Sequence, residues 1–316
     1  MAECVRTNRY DALLRTNLAG IAMRTPVLAA SGTFGFGEEF ADFVDLARLG
    51  GVMVKGTTLL PRRGNEGVRI AETPGGMLNC IGLENPGVEV FLRDILPRIQ
   101  SYRMNVIVNI SGSSVDDYAA LASRLNVAGI TALEINISCP NVKEGGIVFG
   151  TDPQAAAAVV RAVCAYTDKP VIAKLSPNVT SITEIALAVE EAGADIISLI
   201  NTLIGMRIDI QNWHPTLGNR TGGLSGPAVM PIAVRMVWDV AHVVRIPVIG
   251  MGGISSWQDA VEFFLAGASA VAVGTANFID PAVTMKICDG LGRYLHEKQM
   301  SNIQELVGKA WNEQEK

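Results

Sequence analysis

A short stretch in the middle of the chain combines a thiol, two amides and several glycines at the end of a predicted strand. The residues from Ala132 to Ile137 are mostly apolar and include β-branched types, which predicts a buried strand. The proline after Cys139 ends that strand, because it cannot donate to a sheet ladder. A thiol at this junction, flanked by Asn136 and Asn141, suits proton transfer beneath a closing loop. The alternative is a small buried cysteine at a strand end.

The segment after the thiol is predicted to be a mobile lid, because Gly145, Gly146 and Gly150 fall within a few residues. Asp152 and Pro153 then predict the start of a helix, as its N-cap and first residue. Together these features place a candidate acid/base group under a loop that could close over a substrate.

Composition limits the possible functions. A length of 316 residues is enough for one large or two ordinary domains. The hydrophobic content of 49% is ample for a large core, and the net charge is −5. No basic cluster occurs, so nucleic-acid binding is not expected. The N-terminus has no apolar run after a basic start, and no stretch is apolar for long enough to span a bilayer. We therefore expect a cytoplasmic protein.

Five widely spaced cysteines make an odd number, and no C-x-x-C pair occurs. This pattern indicates a reducing compartment without a disulfide framework. It predicts no zinc or iron–sulfur site on the chain. The three histidines, His214, His242 and His296, are too scattered for a metal site and are interpreted as structural.

One pattern recurs along the chain: a short apolar strand ends in small or polar residues, and a helix follows. The predicted strands are Pro26–Ser31, Gly51–Lys55, Asn105–Ile110, Ala132–Ile137, Pro170–Leu175, Asp195–Ile200, Pro247–Met251 and Ala270–Gly274. Eight strand–helix units over this length favour an α/β fold, a closed (β/α)₈ TIM barrel forming a single domain over residues 1–316. The alternative, an open doubly wound sheet, is disfavoured because no G-x-G-x-x-G follows a strand.

Helices are predicted at several places in this pattern. They cover Glu38 to Arg48, a segment ending at Asn126, and Pro153 to Tyr166. Capping boxes at Ser181-x-x-Glu184 and Ser255-x-x-Gln258 predict two more helix starts.

Three segments are longer than a minimal barrel needs: residues 59–85, the lid, and residues 203–226. We predict that the first of them forms a hairpin. Each follows a strand, so each insertion is expected at the C-terminal face of the barrel, where active sites form. Long loops of this kind are usually functional.

Polar residues and glycines stand at the strand ends, and a barrel would bring them around one pocket. They are Ser31, Lys55, Asn109, Asn136, Cys139, Lys174, Asn201, Thr202, Gly252, Gly253, Gly274 and Thr275. A buried lysine needs an anionic partner, and strand-end glycines let backbone N–H groups approach a phosphate. The set favours a ligand with a phosphate, a delocalised anion and amide-like edges, such as a flavin mononucleotide with a planar carboxylate substrate.

Short motifs occur along nearly the whole chain. They are VKGTT at 54–58, ETPGGMLNCIGL at 72–83, NISCPN at 136–141, KLSPN at 174–178, INT at 200–202, GGLSG at 222–226, GMGGI at 250–254 and VGTA at 273–276. With these, the chain resembles the class 1 dihydroorotate dehydrogenases, and within them the FMN-containing catalytic subunit of the NAD-linked type, class 1B. Cys80 and Glu84 stand where that family more often has alanine and glutamine, and Asn109 lies in the sequence VNISG where the family has ANVSG.

The resemblance implies roles for individual residues. Cys139 would take the C5 proton of dihydroorotate while hydride leaves C6 for the flavin, and Lys174 would lie near the flavin N1–C2 carbonyl. Residues implied to hold FMN are Ser31, Lys55, Gly56, Asn109, Asn136, Lys174, Ile200, Gly226, Gly252, Gly253, Gly274 and Thr275. Those implied to hold the substrate are Lys55, Asn79, Cys80, Ile81, Gly82, Leu83, Asn136, Asn201 and Thr202.

The resemblance also implies a partner: an electron-transfer subunit with FAD and a [2Fe–2S] cluster, docked on a homodimer of this chain to give a heterotetramer. The alternatives are a fumarate-linked class 1A enzyme that works alone, a related FMN barrel acting on another pyrimidine, and a non-redox phosphate-binding barrel or metabolite binder. The lid sequence VKEGGIVFGTDP favours the NAD-linked type.

Overall fold

The computed structural model describes residues 9–138 and 149–311. Eight parallel strands close into a barrel in sequence order. They are β1 (Val27–Ala29), β2 (Gly51–Thr57), β3 (Val106–Ile110), β4 (Ala132–Asn136), β5 (Val171–Lys174), β6 (Ile196–Leu199), β7 (Val248–Met251) and β8 (Ala270–Val273). The predicted (β/α)₈ barrel is therefore confirmed.

Side chains on the two faces of each strand have different surroundings, because successive residues of a strand point to opposite faces. One face packs against the surrounding helices in the large apolar core. The other fills the barrel with a second apolar cluster that includes Met53, Ile107, Ile172 and Ile249. Two residues further along β2, β3 and β5, the same face carries Lys55, Asn109 and Lys174. The barrel interior therefore changes from apolar to polar towards the carboxyl ends of the strands.

Helices surround the barrel and follow most of its strands. Their bounds are Asp11–Leu14, Val88–Val90, Leu96–Ile99, Val115–Leu125, Pro153–Cys164, Ile182–Glu191, Met230–Ala241, Trp257–Leu265, Ala276–Ile279 and Val283–Glu297. A π-helix (Phe91–Ile95) and short 3₁₀ turns (Glu38–Phe40, Leu46–Arg48, Gln100–Tyr102, Pro227–Val229, Ile303–Leu306) complete the helical segments.

Two local predictions were wrong. The predicted helix from Glu38 to Arg48 is instead two separate 3₁₀ turns. Tertiary contacts hold this segment, because Arg98 donates hydrogen bonds to the Glu38 carboxylate and the Phe40 ring stacks on Phe34 with 3.9 Å between ring centroids. The capping box near residue 255 is shifted by one position. Ser256 is the N-cap, and Asp259 completes the box.

Other helix starts are confirmed. Asp152 accepts a hydrogen bond from the backbone of Ala155 at 2.7 Å, and Ser181 accepts one from Glu184 at 3.4 Å. The helix after Asp152 ends at Cys164, two residues before the predicted end.

The insertions after β2 and β6 pair with each other. Ile70–Thr73 and Gly76–Asn79 form the predicted hairpin, and the second arm pairs with Thr221–Ser225, which in turn pairs with Leu203–Met206. The sheet made by these four strands, called the mouth sheet here, follows the carboxyl ends of β2 and β6. A further short hairpin pairs Ile208–Asp209 with His214–Pro215.

The amino-terminal end of the barrel is closed by a hairpin of Thr16–Leu18 with Ile21–Met23. Leu18, Ile21 and Met23 belong to the same apolar cluster as the barrel interior. Within the described residues this end of the barrel is therefore packed, whereas the cavity opens at the opposite end.

Cys80, Cys164 and Cys288 are free thiols. Across residues 9–138 and 149–311, no group of three or more His, Cys, Asp or Glu side chains is arranged to hold a metal ion. Among the helices in those same ranges, none is long and apolar enough to cross a membrane.

Candidate active site

A cavity of about 1330 Å³ opens at the carboxyl ends of the barrel strands, with the mouth sheet along one side. Its lining comes from the strand ends, the loop after the hairpin, and the glycine-rich segments after β6, β7 and β8. The volume exceeds the several hundred Å³ of an ordinary small-molecule pocket, so it can hold a cofactor and a substrate together.

The floor of the cavity rests on a buried carboxylate. Glu134 is fully buried on β4, and its Oε2 accepts hydrogen bonds from Asn109 Nδ2 at 2.6 Å and Ser31 Oγ at 3.4 Å. Its Oε1 accepts from Ser198 Oγ at 2.8 Å. Lys174 Nζ lies 3.7 Å from Oε2 and donates to Ser31 Oγ at 3.2 Å. The Lys174 ammonium therefore has the anionic partner that its burial requires.

A second group of amides lies above this floor. Asn201 Nδ2 donates to Asn136 Oδ1 at 3.3 Å, and the Thr202 backbone N–H donates to Asn201 Oδ1 at 2.8 Å. The Tyr118 hydroxyl donates to the Asn136 carbonyl at 2.7 Å, which fixes the end of β4. Asn178 donates to the Thr202 carbonyl at 2.9 Å. These contacts hold a row of amide groups that suits a ligand with alternating donors and acceptors.

The loop after the hairpin is held by hydrogen bonds from both sides. Asn65 Nδ2 donates to the Cys80 carbonyl at 2.9 Å, and its backbone N–H donates to the Ile81 carbonyl at 3.0 Å. Asn79 Nδ2 donates to the Gly223 carbonyl of the neighbouring strand at 3.3 Å. The backbone of residues 79–83 is therefore presented to the cavity as a fixed edge.

An ion pair stands at the rim beside this loop. Arg69 Nη1 lies 2.7 Å from Glu84 Oε2, and both side chains are partly exposed. The Arg69 guanidinium holds the pKa of Glu84 below its usual range, and the nearby charge of Lys55 acts in the same direction. Lys55 itself is half-buried, so it is the more accessible of the two cavity lysines.

Gly252, Gly253 and Gly274 line the cavity at the carboxyl ends of β7 and β8. Gly252 and Gly253 have φ of 127° and 83°, a region that favours glycine. Thr275 Oγ1 donates to Ser225 Oγ at 2.8 Å and joins the end of β8 to the mouth sheet. Such backbone N–H groups can approach a phosphate closely.

Nineteen of the sequence-predicted site residues lie in the described ranges, and all of them line this one cavity. They are Ser31, Lys55, Gly56, Asn79, Cys80, Ile81, Gly82, Leu83, Asn109, Asn136, Lys174, Ile200, Asn201, Thr202, Gly226, Gly252, Gly253, Gly274 and Thr275. Cys139 and the predicted lid up to residue 148 lie outside the described residues. Ser138, which immediately precedes Cys139, lines the cavity.

Sequence reasoning missed the residues that support this lining. Glu134, Asn65 and Asn178 bond to residues that line the cavity, and Ser198 bonds to Glu134 beneath them. None of the four was predicted as part of the site. One signal was available for Glu134: it is the only charged residue in the strand Ala132–Asn136. Its spacing of two from Asn136 places both side chains on the same face.

Comparison with known proteins gives consistent matches. The family model described as dihydroorotate dehydrogenase matches residues 13–295. Curated relatives named dihydroorotate dehydrogenase B (NAD(+)), catalytic subunit, include those of Bacteroides thetaiotaomicron, Desulforudis audaxviator and Bacillus cytotoxicus. They are 57%, 58% and 53% identical over 93%, 93% and 95% of this chain, and over 98%, 96% and 97% of their own lengths.

Proposed function

Since the chain belongs to the dihydroorotate dehydrogenase family, we propose that it is the catalytic subunit of an NAD-linked dihydroorotate dehydrogenase. It oxidises (S)-dihydroorotate to orotate in pyrimidine biosynthesis. The observation that carries the proposal is the cavity of about 1330 Å³, which is lined both by lysine and amide side chains at the strand ends and by residues 79–83. We also propose that residues 1–316 form one FMN-binding barrel domain and that the protein is cytoplasmic.

The cavity fits FMN by the chemistry of its donors. Backbone N–H groups around Gly252, Gly253 and Gly274 suit the phosphate, while Lys174 and Asn109 offer buried donors to a flavin ring. When bound, FMN supplies the hydride acceptor that no side chain provides. The proposed cofactor set also includes Ser31, Lys55, Gly56, Asn136, Ile200, Gly226 and Thr275.

The remaining polar groups suit the substrate. The Lys55 ammonium pairs with the substrate's carboxylate or flavin-facing edge, and Asn79 with the backbone of residues 80–83 holds the carboxylate and ring. Asn136, Asn201 and Thr202 read the amide-like edges of the pyrimidine. Amide side chains suit this task, because each carries both a donor and an acceptor.

We assign Cys139 as the general base. A carbon-bound proton next to a carbonyl is weakly acidic, and a thiolate can remove it if the thiol is held close to it. Cys139 directly follows Ser138, a residue that lines the cavity. This adjacency in the sequence supports the assignment of Cys139 to the substrate site.

Electron transfer to NAD requires a second polypeptide in this proposal. The sequence has no dinucleotide fingerprint after a strand, and its cysteines lack cluster spacing. We propose that a subunit carrying FAD and a [2Fe–2S] cluster docks on a homodimer of this chain and forms a heterotetramer.

The acceptor assay tests the NAD-linked assignment. Purified chain is mixed with dihydroorotate and offered NAD, fumarate or an artificial acceptor, and the NAD assay is repeated with the co-expressed partner. We expect the chain alone to reduce only the artificial acceptor, and NADH to form once the partner is present. Efficient fumarate reduction by the isolated chain, or NADH formation without any other polypeptide, would show that this assignment is wrong.

A further inference from the structure

The buried carboxylate of Glu134 has no role in the proposed chemistry, although it contacts the residues that carry that chemistry. It is fully buried and does not line the cavity. Three of its four polar neighbours, Ser31, Asn109 and Lys174, do line the cavity. Glu134 therefore lies one layer beneath the proposed flavin site.

A role limited to stability explains this arrangement poorly. A buried ion pair often contributes no more to stability than well-packed apolar residues, because both charges lose their hydration. The barrel interior already packs apolar side chains at the level just below, including Ile107, Ala132 and Ile172. Glu134 instead stands where β4 turns from this apolar layer to the polar floor of the cavity.

The geometry of the carboxylate fixes the donors above it. Oε2 accepts from Asn109 Nδ2 at 2.6 Å and from Ser31 Oγ at 3.4 Å, and Lys174 Nζ lies 3.7 Å away. Lys174 also donates to Ser31 Oγ at 3.2 Å, which closes a ring of contacts. Moving or removing the carboxylate changes the position of every donor in this ring.

The charge of the carboxylate matters as much as its hydrogen bonds. The Lys174 ammonium and the Glu134 carboxylate together are neutral, so the floor presents a balanced dipole and not a full positive charge. In a poorly solvated site, an extra positive charge stabilises a ligand that gains negative charge, and an adjacent carboxylate weakens that effect.

We propose that Glu134 is a positioning residue that orients Lys174 and Asn109 and lowers the reduction potential of the bound flavin by offsetting the Lys174 charge. This inference rests on the proposed function, since it requires FMN in the cavity. Glu134 and Lys174 therefore act on the reduction potential of the flavin in opposite directions.

The test measures the flavin reduction potential against a reference dye in the purified holoenzyme and its variants. We expect Glu134→Gln to raise the potential by about 30 mV or more, which corresponds to a tenfold change in a two-electron equilibrium. Lys174→Met should lower it. Ser198→Ala is the matched control: it also removes a buried hydrogen bond to Glu134 but leaves both charges in place, so the potential should stay close to that of the wild type.

A second comparison covers the case in which Glu134→Gln does not fold or retain flavin. The double variant Glu134→Gln/Lys174→Met carries no unpaired buried charge, and its potential should lie above that of Lys174→Met alone. If Glu134→Gln leaves the potential unchanged or lowers it, or if the double variant equals Lys174→Met, the inference is overturned. A wild-type chain that binds no flavin would instead contradict the proposed function itself.

Discussion

At the scale of single residues, the site depends on a few buried polar groups with complementary charge. The sequence predicted that Lys174 would be buried and would need an anion, and the structure shows that the anion is Glu134. The sequence could not supply this pairing, because it depends on the register between β4 and β5, in which Asn136 pairs with Lys174 and Glu134 lies two residues earlier on β4. Strand-end polarity was visible in the sequence, whereas the hydrogen-bond partners of each group were not.

The first residue-scale prediction concerns the proposed base. Cys139→Ala should retain FMN and orotate binding but slow flavin reduction by dihydroorotate by roughly 10² to 10⁴-fold, the usual contribution of a general base. Cys139→Ser should recover some activity only at high pH, because a hydroxyl is a much weaker acid. Stopped-flow absorbance of the flavin measures the rate.

Cys164→Ala is the matched control for that experiment. The Cys164 thiol, at the end of the helix Pro153–Cys164, donates a hydrogen bond to the Gly193 carbonyl. Burial, together with the charge of Asp195, raises the pKa of this thiol to about 11. It is thus protonated at neutral pH, and its loss should leave the rate unchanged. Near-normal flavin reduction by Cys139→Ala at neutral pH would show that Cys139 is not the general base.

At the scale of elements, the sequence predicted all eight barrel strands, because near-continuous apolar runs with polar ends are distinctive. The predicted helix at residues 38–48 failed where tertiary contacts of Phe40 and Glu38 overrode local helix propensity. The mouth sheet was not predicted beyond its hairpin. Its strands pair residues far apart in the chain, such as Asn79 with Gly223, and local patterns carry no information on such pairs.

The mouth sheet yields a prediction at Gly223. A Cβ at this position would lie 2.0 Å from Thr202 Oγ1, so Gly223→Ala must displace either Thr202 or the strand. Overpacking of this kind typically costs 1–3 kcal/mol. We expect about a tenfold or greater loss of orotate affinity with normal FMN content, measured by titration of the flavin spectrum.

The control for Gly223 is Met206→Ala on the adjacent strand of the same sheet. Met206 is half exposed and does not line the cavity, so its truncation should leave orotate affinity unchanged. If Gly223→Ala binds orotate as tightly as the wild type, the close packing of the mouth sheet on Thr202 does not shape the substrate site.

At the scale of the whole molecule, side-chain contacts join early segments of the chain to the last helix. Arg48 pairs with Asp11 at 2.9 Å and with Asp289 of the last helix at 2.6 Å. Next to them, the fully buried Cys288 thiol donates to Thr25 Oγ1 at 3.5 Å. These contacts tie the start of the chain to its end on the outside of the barrel.

The burial of the Cys288 thiol predicts that the folded protein loses stability at alkaline pH. Burial raises the pKa of Cys288 from 9.0 to about 12, an effect that the Thr25 hydrogen bond and the Arg48 charge reduce. Above pH 9 the unfolded thiol loses its proton while the folded thiol keeps it. The contribution of Cys288 is therefore complete below pH 9 and falls by up to about 1.4 kcal/mol per pH unit towards pH 12.

Denaturant unfolding of Cys288→Ala and the wild type at pH 8 and pH 10.5 tests whether the contribution of Cys288 to the free energy of unfolding falls as the pH rises. The alanine variant should be the less stable at pH 8, and its deficit should shrink at pH 10.5. Ile287→Val on the same helix truncates a buried side chain that does not titrate, so its deficit should stay constant. A deficit of Cys288→Ala that stays equal or grows with pH would contradict the expected effect of burial.

In the proposed function, this barrel binds a flavin that dihydroorotate reduces. Anaerobic mixing of the purified chain with dihydroorotate tests it most directly, with the flavin absorbance and the orotate formed measured together. We expect a yellow protein with one FMN per chain, bleaching of its visible absorption, and one orotate produced for each flavin reduced. A colourless protein, or a bound flavin that stays oxidised in excess dihydroorotate, would contradict it.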